Sequence, residues 1–214
     1  MPFVIAVSGL KNSGKTTLVL KLLERFMERG MKTGYVKHTC ENISLSGEST
    51  DSGKVLNKGL PSVLWSGCSI KMEMQTDKLT VSGIQRLFPG YDLVILEGGK
   101  DVPVPKIWVG SLPQDDRLPP GLLATYNYDG PLIADWVRFF RSEDIEPLFE
   151  YVLSLWENKN KGDMEIYMED KQIPVKEFVS DFLSGGIRGM LSALKGVDPG
   201  KGISIFLRDK KPKE

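Results

Sequence analysis

The apolar positions of this chain fall into two periods that succeed one another along most of its length. Phe3 to Ser8 is a short apolar, β-branched run ending at Gly9, the pattern of a strand buried on both faces of a parallel sheet. From Thr16 to Arg29 the spacing turns helical: Leu18, Leu22, Leu23 and Phe26 recur once per turn, and Gly30 is placed to end the helix. Lys32 to His38 reads as the next strand, Thr39 to Thr50 as a mobile polar loop, and Asp51 to Lys58 as a short helix closed by Gly59. Two strands are predicted at Ser62 to Ser66 and Ser69 to Gln75, then a helix from Lys78 to Phe88 broken by Pro89-Gly90. Asp92 to Glu97, carrying Leu93, Val94, Ile95 and Leu96 in a row, is the strongest later strand and stops at Gly98-Gly99. Ile107 to Gly110 and Leu122 to Tyr126 follow as strands separated by a proline-rich loop. Strands alternating with helices predict an α/β fold: a mostly parallel sheet, flanked by helices, with right-handed crossovers.

The pattern shifts at Glu157 to Gly162, where Asn-Lys-Asn-Lys-Gly reads as a polar linker. After it, Met164 to Val175 reads as extended, Lys176 to Leu194 as helical and Gly202 to Arg208 as extended again, a small C-terminal α+β appendage in βαβ-like order. Phe149, Tyr151, Trp156, Phe178 and Phe182 recur at helical spacings, which core packing accounts for. The charged tail, Asp209 to Glu214, is expected to fray.

Composition narrows the chemistry. With 214 residues, 41% hydrophobic and 26% charged, the chain is ordinary globular material. Lys+Arg and Asp+Glu balance at 28 each, so no surplus field draws it to nucleic acid, and any anion must be held by a local site. No apolar run approaches the roughly 20 residues that cross a bilayer, and MPFVIAVSGL lacks the basic n-region of a signal peptide. Cys40 and Cys68 do not make a disulfide framework, which points to the reducing cytoplasm.

One stretch carries the strongest chemical signal. Gly9-Leu10-Lys11-Asn12-Ser13-Gly14-Lys15-Thr16 matches G-x-x-x-x-G-K-[ST] after a strand and at a helix start, the context that the phosphate-binding P-loop requires. Its glycines let successive N–H groups of Asn12, Ser13, Gly14 and Thr17 point at a phosphate at the positive end of the helix dipole. Lys15 would neutralise β- and γ-phosphates, and the Thr16 hydroxyl is a hard oxygen ligand for Mg²⁺. Residues 1–157 therefore read as a P-loop nucleotide-binding domain and 163–208 as the appendage. Glu97, at the end of a buried strand, is either a second magnesium ligand or a strand-end carboxylate facing solvent. Asp51 is either a magnesium or water-positioning residue or an acid favoured by a helix N-terminus. His38, the single histidine, stands beside Lys37 at a strand end before the loop, as a phosphate-sensing switch or a structural side chain. Cys40, Cys68 and His38 offer too few soft ligands for a closed zinc site.

Taken together, Gly9 to Leu18, Arg29-Gly30, Gly34 to Thr39, Thr50-Asp51-Ser52, Asn57-Lys58-Gly59, Leu93 to Lys100 and Pro105-Lys106-Ile107 resemble the molybdopterin-guanine dinucleotide biosynthesis adapter family, MobB. The resemblance covers roughly residues 3 to 155. It implies a GTP-binding protein with weak Mg²⁺-dependent GTPase activity and a homodimeric state. It also implies that the protein assists the molybdopterin guanylyltransferase that joins GMP to molybdopterin, with other cofactor-biosynthesis proteins, for molybdenum or tungsten. By position, Gly14, Lys15 and Thr16 would hold phosphates and Mg²⁺, Asp51 and Glu97 would organise the metal, and Lys37-His38 would lie near the nucleotide or the dimer seam. Lys100, in the Glu-Gly-x-Lys stretch, is a further phosphate or switch candidate.

The chain departs from the family where Cys40 and Glu41 replace further histidines and where Gly99 replaces an aromatic. Asn-Lys-x-Asp, the usual guanine reader, is absent, which leaves Asp129 as the candidate for the guanine N1–H and N2–H. A P-loop small-molecule kinase is the main alternative, but its lid, Asp101 to Pro120, would contain only Arg117. A metallochaperone GTPase, which usually carries a Cys/His cluster, is the other.

Overall fold

The computed structural model describes residues 1–76, 79–113, 118–131, 133–159, 164, 166–168, 171–173, 175–200, 202, 203 and 205. Strand β1 (Phe3–Gly9) leads into helix α1 (Lys15–Glu28) and strand β2 (Thr33–Lys37). Helix α2 (Asp51–Leu56), strands β3 (Ser62–Trp65) and β4 (Ile70–Glu73) and helix α3 (Val81–Leu87) follow. Then come β5 (Leu93–Glu97), β6 (Lys106–Val109), β7 (Leu122–Tyr126), β8 (Arg138–Phe140) and helix α4 (Ile145–Lys159). The last elements are β9 (Ile166–Met168), β10 (Lys171–Ile173) and α5 (Glu177–Ser192).

Six strands form one sheet in the order β2-β5-β1-β6-β7-β8, and every neighbouring pair is parallel. Period-two alternation in β1 buries both of its faces. Phe3, Ile5 and Val7 meet Leu18, Leu22 and Phe26 of α1 and Leu148, Phe149 and Val152 of α4. Val4 and Ala6 face the other way, with Ile84 of α3 and Val94 and Leu96 of β5. Each such side chain contributes about 1.5–3 kcal/mol of transfer free energy, so this two-sided core holds β1, and the loop after it, fast. Helices α1 and α4 are also tied at the surface. Arg25 pairs with Glu146, Arg29 pairs with Glu150 at 2.6 Å, and the Phe26 and Phe149 rings pack at 4.8 Å between centroids.

The structure differs from the pattern-based expectation in several places. Strands β3 and β4 pair antiparallel as a hairpin of their own, outside the main sheet. β8 and α4, neither assigned from the pattern, close the sheet edge and cover one face. α4 runs through Lys159, so the polar run expected to be linker from Glu157 begins as its last turn. The segment read as one extended run from Met164 contains the antiparallel hairpin β9–β10, so the described part of the appendage is a hairpin followed by a helix. Phe178 and Phe182, expected in a core, are exposed and stack on each other at 6.5 Å. The start of the helix expected from Lys78, most of the final extended segment and the tail lie outside the described residues.

Candidate nucleotide-binding site

All strands of the parallel sheet point the same way, so the residues that end them collect at one edge, where open α/β sheets bind ligands. Gly9 ends β1, Glu97 ends β5, Val109 ends β6 and Tyr126 ends β7. The loop from Leu10 to Gly14 curls over this edge. Asn12 at φ 63° and Gly14 at φ 88° adopt left-handed backbone, and Gly14 caps α1 without a side chain. At Gly9 a Cβ would stand 2.5 Å from the Val109 carbonyl oxygen, so only glycine lets the loop leave the sheet here. The Lys15 ammonium folds back to donate to the Leu10 carbonyl, with the Ser13 hydroxyl at 3.5 Å.

The neighbouring strand completes the centre. Thr16 Oγ1 donates to Glu97 Oε1 at 2.8 Å, Tyr35 Oη donates to Glu97 Oε2 at 2.9 Å, and Lys37 Nζ stands 3.7 Å from Oε1. Glu97 is buried, and a buried carboxylate is retained only where partners satisfy both oxygens. Burial, and then the hydrogen bond to Glu97, push the Tyr35 phenol up to about 12. Thr16 and Glu97 together offer two hard oxygen donors at one point, a set suited to Mg²⁺.

Three more of the expected residues are exposed. Asp51 is fully exposed in the first turn of α2 and pairs with Lys54 at 3.2 Å. His38 is exposed, and its contribution to the edge is by backbone: its N–H donates to the Glu97 carbonyl at 2.8 Å. Lys100 is exposed in the loop beyond β5. No group of three or more His, Cys, Asp or Glu that could hold a metal ion occurs among the described residues, and Cys40 and Cys68 are exposed free thiols. Arg117 lies outside the described residues.

Beyond the phosphate loop, a cleft of about 200 Å³ opens over Gly14, over Thr17 and Lys21 of α1, and over Val109, Tyr126-Asn127 and Ser142 at or just past the ends of β6, β7 and β8. Asn127 holds a left-handed turn at φ 54°, its N–H bonded to the Phe140 carbonyl at 2.8 Å. Asp129 is exposed two residues further on and does not line the cleft. Asn127 and Ser142 escape sequence reading because they come together only through the β7–β8 pairing. The one local sign is an asparagine immediately after a buried strand, the residue type that best tolerates left-handed backbone.

The family model for molybdopterin guanine dinucleotide synthesis protein B, MobB, matches residues 4–119, more than half of the chain. The chain belongs to the MobB family. It is 28% identical to the putative molybdopterin-guanine dinucleotide biosynthesis adapter protein of Methanocaldococcus jannaschii, over 94% of this chain and 96% of that one. It is 24% identical to the molybdopterin-guanine dinucleotide biosynthesis adapter protein of Escherichia coli, over 74% of this chain and 95% of that one. Among solved structures it is similar to a MobB protein homolog from Bacillus stearothermophilus, with a TM-score of 0.53 and 20% identity, covering 72% of this chain and 98% of that one. That likeness establishes the fold. Membership of the MobB family gives the chain a role in molybdenum cofactor biosynthesis. The match to the Methanocaldococcus protein is long enough to reach into α5, so the C-terminal unit is shared with at least one MobB relative.

Proposed function

We propose that the chain is a GTP-binding adapter with weak Mg²⁺-dependent GTPase activity. It would assist a guanylyltransferase in attaching GMP to molybdopterin, within molybdenum or tungsten cofactor biosynthesis. The observation that carries this reading is the 2.8 Å contact between the Thr16 hydroxyl and the Glu97 carboxylate, at the head of a complete P-loop. Gly9, Lys11, Asn12, Ser13, Gly14, Lys15, Thr16 and Thr17 hold the phosphates, Lys15 exchanging the Leu10 carbonyl for phosphate oxygens. Thr16 and Glu97 hold the magnesium, with Asp51 joining them on closure of the loop before α2. Mg²⁺ would supply charge neutralisation on the β- and γ-phosphates. Lys37 stands 3.7 Å from Glu97 Oε1, near the phosphates, and His38 anchors the switch loop to β5 through its backbone. Guanine lies in the cleft with Asn127, and Asp129, outside the cleft wall two residues further on, is the carboxylate nearest in sequence to pair with its N1–H and N2–H.

The adapter works as a homodimer in the cytoplasm, with residues 1–157 as the nucleotide domain and 163–208 as the appendage. Support for self-association comes from one face of the β3–β4 hairpin. Val63, Trp65, Ile70 and Met72 pair across it and stand at least half exposed, Trp65 at 82%. A contiguous apolar face of this kind marks an interaction surface. No helix among the described residues is long and apolar enough to cross a membrane.

The test is binding of fluorescent GTP and ATP analogues with Mg²⁺ and with EDTA, with Lys15→Ala as the control, followed by phosphate release with and without small-molecule acceptors. GTP preference with slow, acceptor-independent release is expected. ATP preference with turnover that jumps on adding an acceptor would overturn the adapter and leave a kinase.

A further inference from the structure

Helix α5 turns one face to the protein and leaves the other bare. Ser180 and Ser184 are buried, while Phe178 is 79% and Phe182 71% exposed. At about 3.6 residues per turn, Phe178, Phe182, Gly185, Gly186, Gly189 and the C-cap residue Ala193 fall in one sector of about 100°. All six are exposed. The stripe runs from two aromatic rings, stacked on each other at 6.5 Å, to a row of small residues.

These glycines have no reason inside the chain to be glycine. None of the three has left-handed backbone, and a Cβ at any of them would meet nothing within 4 Å among the described residues. Glycine is the poorest helix former after proline, so Gly185, Gly186 and Gly189 weaken α5 without relieving any crowding in the fold. What they supply on an exposed face is a hollow where a second helix can approach closely.

The face is complementary to itself. Two copies of α5 set antiparallel about a dyad between Gly185 and Gly186 bring Phe182 opposite Gly189 of the second copy, and Phe178 opposite Ala193. Large side chains meet small ones at every step. Such a dyad also brings like flanks together. On one flank Val179 and Met190, both exposed, come within about 3 Å of each other along the axis. On the other, Asp181 and Arg188 meet at the same offset, an opposite-charge pair in each half of the contact. Arg188 donates to the Pro199 carbonyl, and a guanidinium has more donors than one carbonyl uses. A parallel pairing sets Phe182 on Phe182 and leaves the glycines facing glycines.

We propose that this face of α5 is a docking surface for a second copy of the chain, each Phe182 seated in the glycine hollow of the other. The pairing is distinct from the β3–β4 hairpin face and requires no nucleotide. A face roughly four turns long falls short of the ~800 Å² per partner of a standard interface. It is therefore weak between free chains, and adds to any contact that has already joined two copies.

The test is disulfide trapping in the full-length chain with Cys40→Ser and Cys68→Ser, near millimolar chain concentration in a glutathione redox buffer. Chains carrying Val179→Cys are mixed with chains carrying Met190→Cys. Each of these positions lies at least about 13 Å along the axis from its own copy, so mixed covalent dimers, resolved by mass, should exceed either self-linked dimer at least tenfold. Gly186→Leu fills the hollow from outside the fold and should cut the mixed yield at least tenfold without lowering Tm. Asp181→Arg on the first chain should lower the yield, and adding Arg188→Asp on the second should restore it. Equal yields of mixed and self-linked dimers would overturn the antiparallel pairing. No covalent dimer at all, or a yield indifferent to Gly186→Leu, would overturn the second copy as occupant and leave the face to a different protein.

Discussion

Lys106 is the residue whose environment departs furthest from its type. On β6 it is fully buried, and its ammonium donates to the carbonyls of Gly99 at 3.1 Å, of Lys100, and of Val102 at 3.1 Å. Burial lowers its ammonium to about 8 from an ordinary 10.5, with Asp101 pulling in the opposite direction. The folded value lies below the unfolded one, so between about pH 8 and 10.5 the unfolded chain binds this proton more tightly, and raising the pH through that window favours the folded state. Lys106→Met keeps the volume but strips three carbonyls of their donor, and should cost about 3–5 kcal/mol at pH 7. Urea midpoints of wild type and variant between pH 7.5 and 10.5 check both points: the gap should be large at the start and widen as the pH rises. A gap that does not change with pH would mean that burial does not set the lysine's titration. Gly98 makes a second prediction at this scale. It stands at φ 93°, and a Cβ there would lie 2.7 Å from the His38 carbonyl oxygen. Gly98→Ala should therefore cost about 1–3 kcal/mol, and lower Tm by about 2–4 °C for each of them, in calorimetry. An unchanged Tm would show that the junction of β2 and β5 can give way.

Among the elements, the hairpin β3–β4 does more than display apolar side chains. Glu73 is buried at its end and accepts from the Ser46 N–H at 2.9 Å and the Ser46 hydroxyl at 2.6 Å, while Lys71 pairs with it at 3.1 Å. These bonds, the Ser46 hydroxyl first, hold its carboxyl below the ordinary 4.5. They also pin the irregular segment between β2 and α2 to the hairpin. Because the folded value is depressed, the stabilisation is present above about pH 4.5 and is lost as the pH falls through the folded value. Glu73→Gln should free the segment at pH 7, read as faster cleavage after Glu41 and Glu48 by a glutamate-specific protease with little change in Tm; an unchanged cleavage rate would show that something else holds it.

This clasp also shows how far the chain could be read from its residues. Elements carried by local periodicity, β1, α1, β5 and β7, fall where the pattern places them, and the P-loop motif lies in its expected strand-to-helix junction. What the pattern could not reveal is who pairs with whom. β3 and β4 have the composition of sheet strands, yet each pairs only with the other. Glu73 and Lys106 are charges in buried places whose partners lie 27 residues away in one case and in the preceding turn in the other. Phe178 and Phe182 keep helical spacing without being covered, since periodicity reports that a face is apolar and not that anything packs on it. Thr16 and Glu97 are the exception: each was legible from its own motif, and β1–β5 pairing brings them together.

At the scale of the whole molecule, the apolar face of the hairpin leads to the oligomeric state. Trp65→Glu with Ile70→Lys replaces two exposed side chains, so monomer stability should change by no more than about 0.5 kcal/mol for each. Light scattering after size exclusion should show dimer for wild type and monomer for the double variant at micromolar concentration. A wild-type monomer, or a dimer indifferent to the substitutions, would remove this face from the assembly.

The sheet order has a last consequence, for the chain as it is made. β1 is an inner strand whose partners are β5 and β6, so it leaves the ribosome roughly ninety residues ahead of the strands it pairs with. At about 5–20 residues per second, that segment waits on the order of five to twenty seconds with neither neighbour available. During that interval Phe3 to Val7 is an unpaired β-branched strand, and its fate depends on a chaperone or on the early amphipathic helix α1 folding back over it. The strand that fixes the phosphate loop in the finished protein is, during synthesis, the part most exposed to aggregation.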